Sequence, residues 1–373
     1  MTTIYDVAKA AQVTAATVSN VITGKGSVGA ETRARVEAAI ASLGYHPNML
    51  ARGLATRQTH TLGLLLPNIA NPFYPEIALE VEQTARLQGY CVFLCNLCND
   101  EEVGRTYLRQ LANRQVDGAI VMPGGINLDD LVAAARGALP IVLCNWEEQD
   151  ELPPLPMVGV SFFQAGCLAA RHLLSLGHRR IGVIADAAIP HMRHTERVAG
   201  FAATIAQAGI AWDPRLLQLG DSTIASGYQA MTALRALADP PTAVFSTNDL
   251  MALGALESAL ALGLRVPRDL SIVGLDDISI SAHTQPPLTT VTIPKRRIGA
   301  EATALLLQWL AKGEMPPIEP TQIPPTLHVR GSTARVGPGI EAPLAATTRA
   351  LAEGAPREEE TYRHILDPAL PGP

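Results

Sequence analysis

From Thr61 onward the hydrophobic positions fall into two alternating kinds of segment. Short apolar runs (TLGLLLP, CVFLCNL, DGAIVMP and PIVLCN) are separated by longer stretches in which apolar residues recur every three or four positions (PFYPEIALEVEQTARLQG, EEVGRTYLRQLANRQV and LDDLVAAARGA). The first kind has the length of a strand covered on both faces, CVFLCNL included, and the second has the period of an amphipathic helix. Together they predict a parallel sheet with helices on both sides. After MVGVS, near residue 161, the alternation restarts with helix QAGCLAARHLLSLG, strand RRIGVIAD, helix TERVAGFAATIAQAG, strand PTAVFSTND, helix LMALGALESALALG and strand SIVGLDD. Two similar α/β lobes are expected, followed by LTTVTIP, the helical KRRIGAEATALLLQWLAKG, and TLHVRGST.

Before Thr61 the period is purely helical. Thr3 and Asp6 have the spacing of a capping box, and Ile4, Val7 and Ala8 recur on one helix face. Ala11 and Gln12 supply a turn, and Thr14 is placed to cap a second helix, TAATVSNVI. In that helix Val18 and Ile22 are expected inward, leaving Ala15, Ala16, Thr17, Ser19 and Asn20 on its start and outer face. A third helix begins near Ala30, turns Val36, Ile40 and Leu43 inward, and stops at Gly44. Three short helices with a tight turn between the first two predict a helix-turn-helix head. Beyond it, Pro47 and Asn48 open NMLARGLA, a helix too short to be stable by itself.

Charge separates head from body. The 373-residue chain has a net charge of −6, yet residues 1–60 carry six Lys/Arg against three Asp/Glu, a local +3 that leaves −9 for the rest. A basic head on an acidic body suits a polyanion that meets only the head. No apolar run reaches the roughly 18–20 residues of a membrane span, and no basic-then-apolar signal segment opens the chain, so the expected compartment is the cytoplasm. Five cysteines, an odd number in a long chain, are expected to be thiols.

Two patterns imitate other chemistry. GKGSVG at 24–29 fits G-x-G-x-x-G but follows a helix, with no acidic residue twenty positions on to hold a ribose. Cys91, Cys95 and Cys98 fit an iron–sulfur spacing, but alternation along a strand puts Cys98 on the face opposite the other two. No cofactor, metal or catalytic residue is expected. Residues 337–373, rich in Ala, Pro and Glu, are expected to be disordered.

Taken in order, YDVAKAAQVTAATVSNVITG, VGAETRARVEAAIASLGYHPNMLARGLA and TLGLLLPNIANPFY resemble the LacI/GalR family of bacterial transcriptional regulators, a resemblance running from residue 2 to about 335. It implies a small all-α helix-turn-helix head on a two-lobed α/β body of the periplasmic-binding-protein type I fold, with parallel sheets. The implied divisions are 1–45 for DNA binding, 46–60 for a hinge helix and linker, and 61–336 for effector binding and dimerisation, leaving 337–373 as tail. Lobe 1 would take about 61–160 and 292–322, and lobe 2 about 161–291 and 323–336. Position by position, the resemblance places Thr14 to Asn20 at the start of the recognition helix. Ala15, Ala16 and Asn20 would read bases, and Tyr5, Thr17, Ser19 and Thr23 would hold phosphates. Thr3, Asn48, Ala51 and Arg52 would also meet DNA, and Leu54 would wedge between base pairs in the minor groove. Asn20 stands where arginine is common, and Ala15 and Ala16 offer only methyl contacts, so the operator sequence does not carry over from relatives; Gly53 stands where serine is usual, which weakens the hinge helix.

In such folds ligands sit at the carboxyl ends of the strands. That rule selects Asn71, Phe73, Tyr74, Trp146, Ser161, Phe162, Arg197, Asn248, Asp249, Asp276 and Asp277. Plain alternatives are a surface arginine at 197, a helix cap at Asp249 and a core aromatic at Phe73. The resemblance favours Arg197 in RVAGF and Asp276 in VGLDD as effector contacts, whereas Ser161-Phe162 replaces an Asp-Asn pair frequent in the family. The expectation is a homodimeric repressor on a pseudo-palindromic operator, controlled by a small sugar-like effector. The alternatives are a corepressor-dependent regulator answering to a metabolite such as a purine, or a sugar-binding protein without regulatory role.

Overall fold

The computed structural model describes residues 2–23, 26–45, 58–122, 124–137, 139–145, 153–186 and 195–337. The chain divides into two compact units between His60 and Thr61. The hinge positions Asn48, Ala51, Arg52 and Leu54, the cleft position Trp146, and residues 338–373 of the tail lie outside the described residues.

The first unit contains α1 (Ile4–Ala11), α2 (Ala15–Thr23) and α3 (Ala30–Leu43). The Thr3 amide donates to Asp6 Oδ2 at 2.8 Å and the Asp6 amide to Thr3 Oγ1 at 3.4 Å, completing the capping box. Gln12, in the left-handed region at φ 54°, turns the chain out of α1, and its N–H satisfies carbonyls of the last turn. Val7, Ala8, Ala11, Val18, Val21, Val36 and Ala39 form the core. Two inward assignments move. Val21 rather than Ile22 is buried, and Leu43, in the last turn of α3 beyond that core, is 38% exposed.

The second unit holds two six-stranded sheets. The first contains β1 (Thr61–Leu66), β2 (Cys91–Asn96), β3 (Gly118–Val121), β4 (Ile141–Cys144), β5 (Met157–Gly159) and β11 (Thr321–Gln322), in the order β11-β5-β4-β3-β1-β2. The second contains β6 (Ile181–Asp186), β7 (Leu217–Gly220), β8 (Ala243–Ser246), β9 (Ser271–Asp276), β10 (Thr289–Thr292) and β12 (Thr326–His328), in the order β12-β10-β9-β8-β6-β7. All pairings are parallel except β10 with β12. The connecting helices are α4 (Phe73–Leu87), α5 (Glu101–Gln110), α6 (Leu128–Arg136), α7 (Phe162–Ser175), α8 (Thr195–Gln207), α9 (Ile224–Arg235), α10 (Asp249–Ala261) and α11 (Lys295–Lys312). Strands β1, β3, β4, β6, β8 and β9 are buried along their whole length, which is why they read as continuous apolar runs.

Among the described residues the chain passes between the sheets three times: from β5 into α7, from β10 into α11, and from β11 to β12. α11 leaves the second sheet and packs on α4, β3, β4 and β5 of the first. The expectation for CVFLCNL is corrected. β2 is an edge strand with one neighbour, so Phe93 and Leu94 are 53% and 42% exposed and Cys91 is exposed as well. Apolar character alone did not distinguish this edge from a buried strand. All five cysteines are free thiols, with Cys95, Cys144 and Cys167 buried.

Candidate functional site

In the head, the start of α2 is organised by Thr14. Its Oγ1 accepts the Thr17 amide at 3.1 Å and lies 2.9 Å from the Thr17 hydroxyl. Ala16, Ser19 and Asn20 are exposed, Ala15 and Thr17 half-buried, and Tyr5 on α1 is 73% exposed. Thr3 is exposed but already engaged with Asp6, whose carboxyl is held below its usual range by the Thr3 amide and hydroxyl. Thr23 lies within α2, but its side chain is outside what is described. α2 carries no charged side chain, so nothing on it opposes the partial positive charge of its N-terminus. The result is an uncharged helix face of methyl and hydroxyl groups, suited to lie against DNA.

In the body, residues just beyond the carboxyl ends of β6 to β9 converge. Arg197 on α8 is only 7% exposed. Its guanidinium lies over the Phe162 ring, 4.1 Å from the centroid, donates to the Thr247 carbonyl at 2.6 Å, and stands 3.7 Å from Asp276 Oδ1. It is a buried arginine, so the surface alternative falls. Two glycine contacts set this geometry, because α7 and α8 touch where Gly166 meets the Arg197 carbonyl and Gly200 meets the Phe163 carbonyl, with no room for a Cβ. Ser161 caps α7 by accepting the Gln164 amide at 3.2 Å, which fixes Phe162 under the guanidinium.

Asn248, not Asp249, caps α10, accepting the Met251 amide at 2.8 Å. Its Nδ2 donates at 2.6 Å to Ser222, whose hydroxyl in turn donates to Asp186. Asp249 is fully buried. It accepts the Ile278 amide at 3.0 Å, the Ser281 hydroxyl at 2.7 Å and the Thr290 hydroxyl at 2.6 Å. Burial pushes its carboxyl up to about 6 against the pull of those donors. Asp249 thereby pins the 276–281 turn, in which Asp276 and Asp277 have φ values of 119° and 54°. Asp277 bonds Arg330 Nη2 at 2.6 Å and Thr292 at 2.8 Å. Burial raises its carboxyl, and these donors with the Arg330 and His328 charges more than reverse that, leaving it lowered.

The lobe 1 candidates are placed differently. Asn71 uses its side-chain oxygen to accept the Phe73 amide at 3.0 Å, starting α4. Phe73 and Tyr74 are 5% and 8% exposed, meet edge to face at 5.2 Å, and belong to the hydrophobic core, as the core alternative for Phe73 has it. Phe73 approaches the polar network at Lys295, whose Nζ lies 6.0 Å from its ring.

Asp186, Ser222, Glu76 and Lys295 were missed in the sequence. Asp186 ends RRIGVIAD and was open to the same strand-end rule as Asp276. Ser222 requires a turn at φ 61°, which sequence does not announce for serine. Lys295 donates to the carbonyls of Asp276 and Asp277, both at 2.6 Å, and no local pattern foretells that.

Residues 3–48 match the family described as bacterial regulatory proteins, lacI family, and residues 170–333 match the periplasmic binding protein-like domain. The chain is 37% identical over 309 residues to the HTH-type transcriptional repressor PurR of Aliivibrio salmonicida (strain LFI1238), covering 83% of this chain and 92% of that one. Among solved structures, the lac repressor dimer bound to operator and the anti-inducer ONPF aligns with a TM-score of 0.79 at 30% identity, over 89% of this chain and 99% of that one. The transcriptional regulator CelR–cellobiose complex aligns with a TM-score of 0.66 at 31% identity, over 89% of this chain and 100% of that one. The head, the paired parallel sheets and these matches agree: the chain belongs to the LacI family of bacterial regulatory proteins, as an effector-controlled, DNA-binding transcriptional repressor and not an enzyme.

Proposed function

We propose that this repressor controls carbohydrate-utilisation genes from the cytoplasm, as a homodimer on a pseudo-palindromic operator, and that its effector is a small sugar held between the lobes of 61–336. The observation that carries the sugar reading is the buried Arg197, stacked on Phe162 and paired with Asp276. A flat apolar ring beside groups able to bind two hydroxyls at once suits a sugar ring. The kinship with a regulator whose complex holds cellobiose supports it. Among the described residues no helix is long and apolar enough to cross a membrane.

On the DNA side, Ala15, Ala16 and Asn20 read base edges, while Thr3, Tyr5, Thr14, Thr17, Ser19 and Thr23 hold the backbone. Asn48, Ala51, Arg52 and Leu54 act in the minor groove, and effector binding changes the spacing of two such hinges. Replacing Leu54 by Ala weakens specific binding far more than non-specific binding; an equal loss on both would rule out a wedge. The aromatic ring of Phe162 beside Arg197 favours one second reading, a flat heterocyclic corepressor such as a purine. A thermal-shift screen of sugars, polyols and purines, followed by the effect of each hit on binding to DNA upstream of the gene, separates the two.

A further inference from the structure

A cavity of about 160 Å³ lies beside the amino ends of β6 and β7, at the far end of the second sheet from the residues that converge around Arg197. Arg179 and Arg180 lead into β6, and Trp212 and Asp213 lead through the turn Pro214–Leu216 into β7. Ile205, in the last turn of α8, closes it from the side. A space of this size holds roughly one six-membered ring.

The hydrogen-bonding groups of its wall are one-sided. Trp212 Nε1 is buried and has no acceptor among the described residues, although a buried indole N–H ordinarily finds one. Arg179 is exposed, and its one acceptor among the described residues is the Ala208 carbonyl, at a long 3.5 Å. Asp213, by contrast, is saturated. Its Oδ1 accepts the Arg215 amide at 3.1 Å and Arg215 Nε at 3.0 Å, and its Oδ2 accepts Arg180 Nη1 at 3.0 Å and Arg215 Nη2 at 2.9 Å. Those donors fill the lone-pair positions of a carboxylate. Arg180 is committed as well, since its Nε also meets the Asp239 carbonyl at 2.6 Å and carboxylate at 3.0 Å.

The side chains of the wall thus offer two donors, one of them cationic, and no acceptor to spare. Arg179, Arg180 and Arg215 against Asp213 and Asp239 leave one positive charge unmatched. A guest that fits brings acceptors and a negative charge at one end, and apolar surface at the other to meet Ile181, Ile205, Ile210 and Leu216. From this we infer that the cavity is a second ligand site, remote from the cluster around Arg197, and that it takes a small carboxylate carried on a single apolar ring. One carboxylate oxygen accepts from Trp212 Nε1 and the other from Arg179.

The test follows the indole N–H resonances of the full, isotope-labelled chain during titration with benzoate, with calorimetry alongside. The chain has three tryptophans, and Trp212→Phe assigns the signal by its loss. Benzoate is expected to move that signal to saturation. Acetate, which lacks the ring, and benzyl alcohol, which lacks the charge, are expected to bind about tenfold more weakly or worse. Arg179→Met and Trp212→Phe are each expected to weaken benzoate about tenfold, the weight of one hydrogen bond to a charged group. Should Trp212→Phe not fold, Arg179→Met, at an exposed position, carries the comparison by calorimetry. Arg197→Ala is expected to leave benzoate affinity unchanged. Indole signals unmoved at about 10 mM benzoate, full affinity in folded Arg179→Met, or binding lost with Arg197→Ala overturns the inference.

Discussion

Lys295 Nζ and Glu76 Oε2 meet at 3.3 Å across the divide between the two sheets, and Glu76 also accepts the Ser279 amide at 2.9 Å. Glu76 belongs to α4 on the first sheet and Ser279 to the turn after β9 of the second, so one carboxylate holds both lobes. Lys295→Met strips two carbonyls and Glu76 of their donor. Unfolding in urea is expected to register a loss of about 2 kcal/mol, less than for a fully buried pair because Glu76 is partly exposed. Hydrogen exchange at the Ser279 amide is expected to speed up, and unchanged protection there would show that the clip is idle.

Arg197→Ala is expected to abolish the ligand-induced rise in Tm, because it removes the group stacked on Phe162 and leaves Asp276 without that cation. A shift that survives at full size would locate the effector elsewhere.

Gly200→Ala drives a methyl into the Phe163 carbonyl and forces α8 away from α7. Overpacking of this kind costs roughly 1–3 kcal/mol. The same displacement lifts Arg197 off Phe162, so effector affinity should fall with stability. Chemical denaturation and a binding titration on one preparation check both.

Asp249 makes a pH signature. Its carboxyl is raised in the folded chain to about 6 from 3.8, so between those values the native state binds more protons than the unfolded one. This group's stabilising contribution is therefore full below pH 3.8 and is lost as pH rises through 6. Asp249→Asn is expected to flatten that part of the stability profile, as read by denaturant titrations from pH 4 to 7.

His178 works in the opposite sense. It is 1% exposed, and its ring bonds Thr242 at 2.9 Å, Ser271 at 3.0 Å and the Ala334 carbonyl at 3.1 Å. Burial lowers its pKa below 6.5, only partly offset by the Ala334 carbonyl, so its contribution is complete above pH 6.5 and lost as pH falls. His178→Gln is expected to remove that acid loss, and the Ala334 amide, which donates to Ser271 at 3.1 Å, should exchange faster.

Features set by local chemistry were legible in the sequence. Thr3 with Asp6 and Thr14 with Thr17 form caps because hydroxyls and carboxylates at that spacing have unsatisfied amides to bond. The run of strands and helices followed from period alone. The plain alternative of a cap at Asp249 falls one residue late, since Asn248 and Asp249 are equally suited to that role and only the fold gives it to Asn248. Arg197 and Asp276 come from the strand-end rule and are favoured by family resemblance, but nothing in RVAGF marks a buried guanidinium. Glu76 and Lys295 were out of reach, since their meeting depends on α11 crossing back to the first sheet.

The three passages between the sheets lie close together. Gln322 pairs with Gly159 where two of them begin, and Thr292, at the end of β10, pairs with Thr326, at the start of β12. Covalent ties set side by side act like the knuckles of a door hinge: they resist sliding and twisting, and leave opening and shutting as the soft movement. A ligand that touches both lobes is thus read out as a single angle.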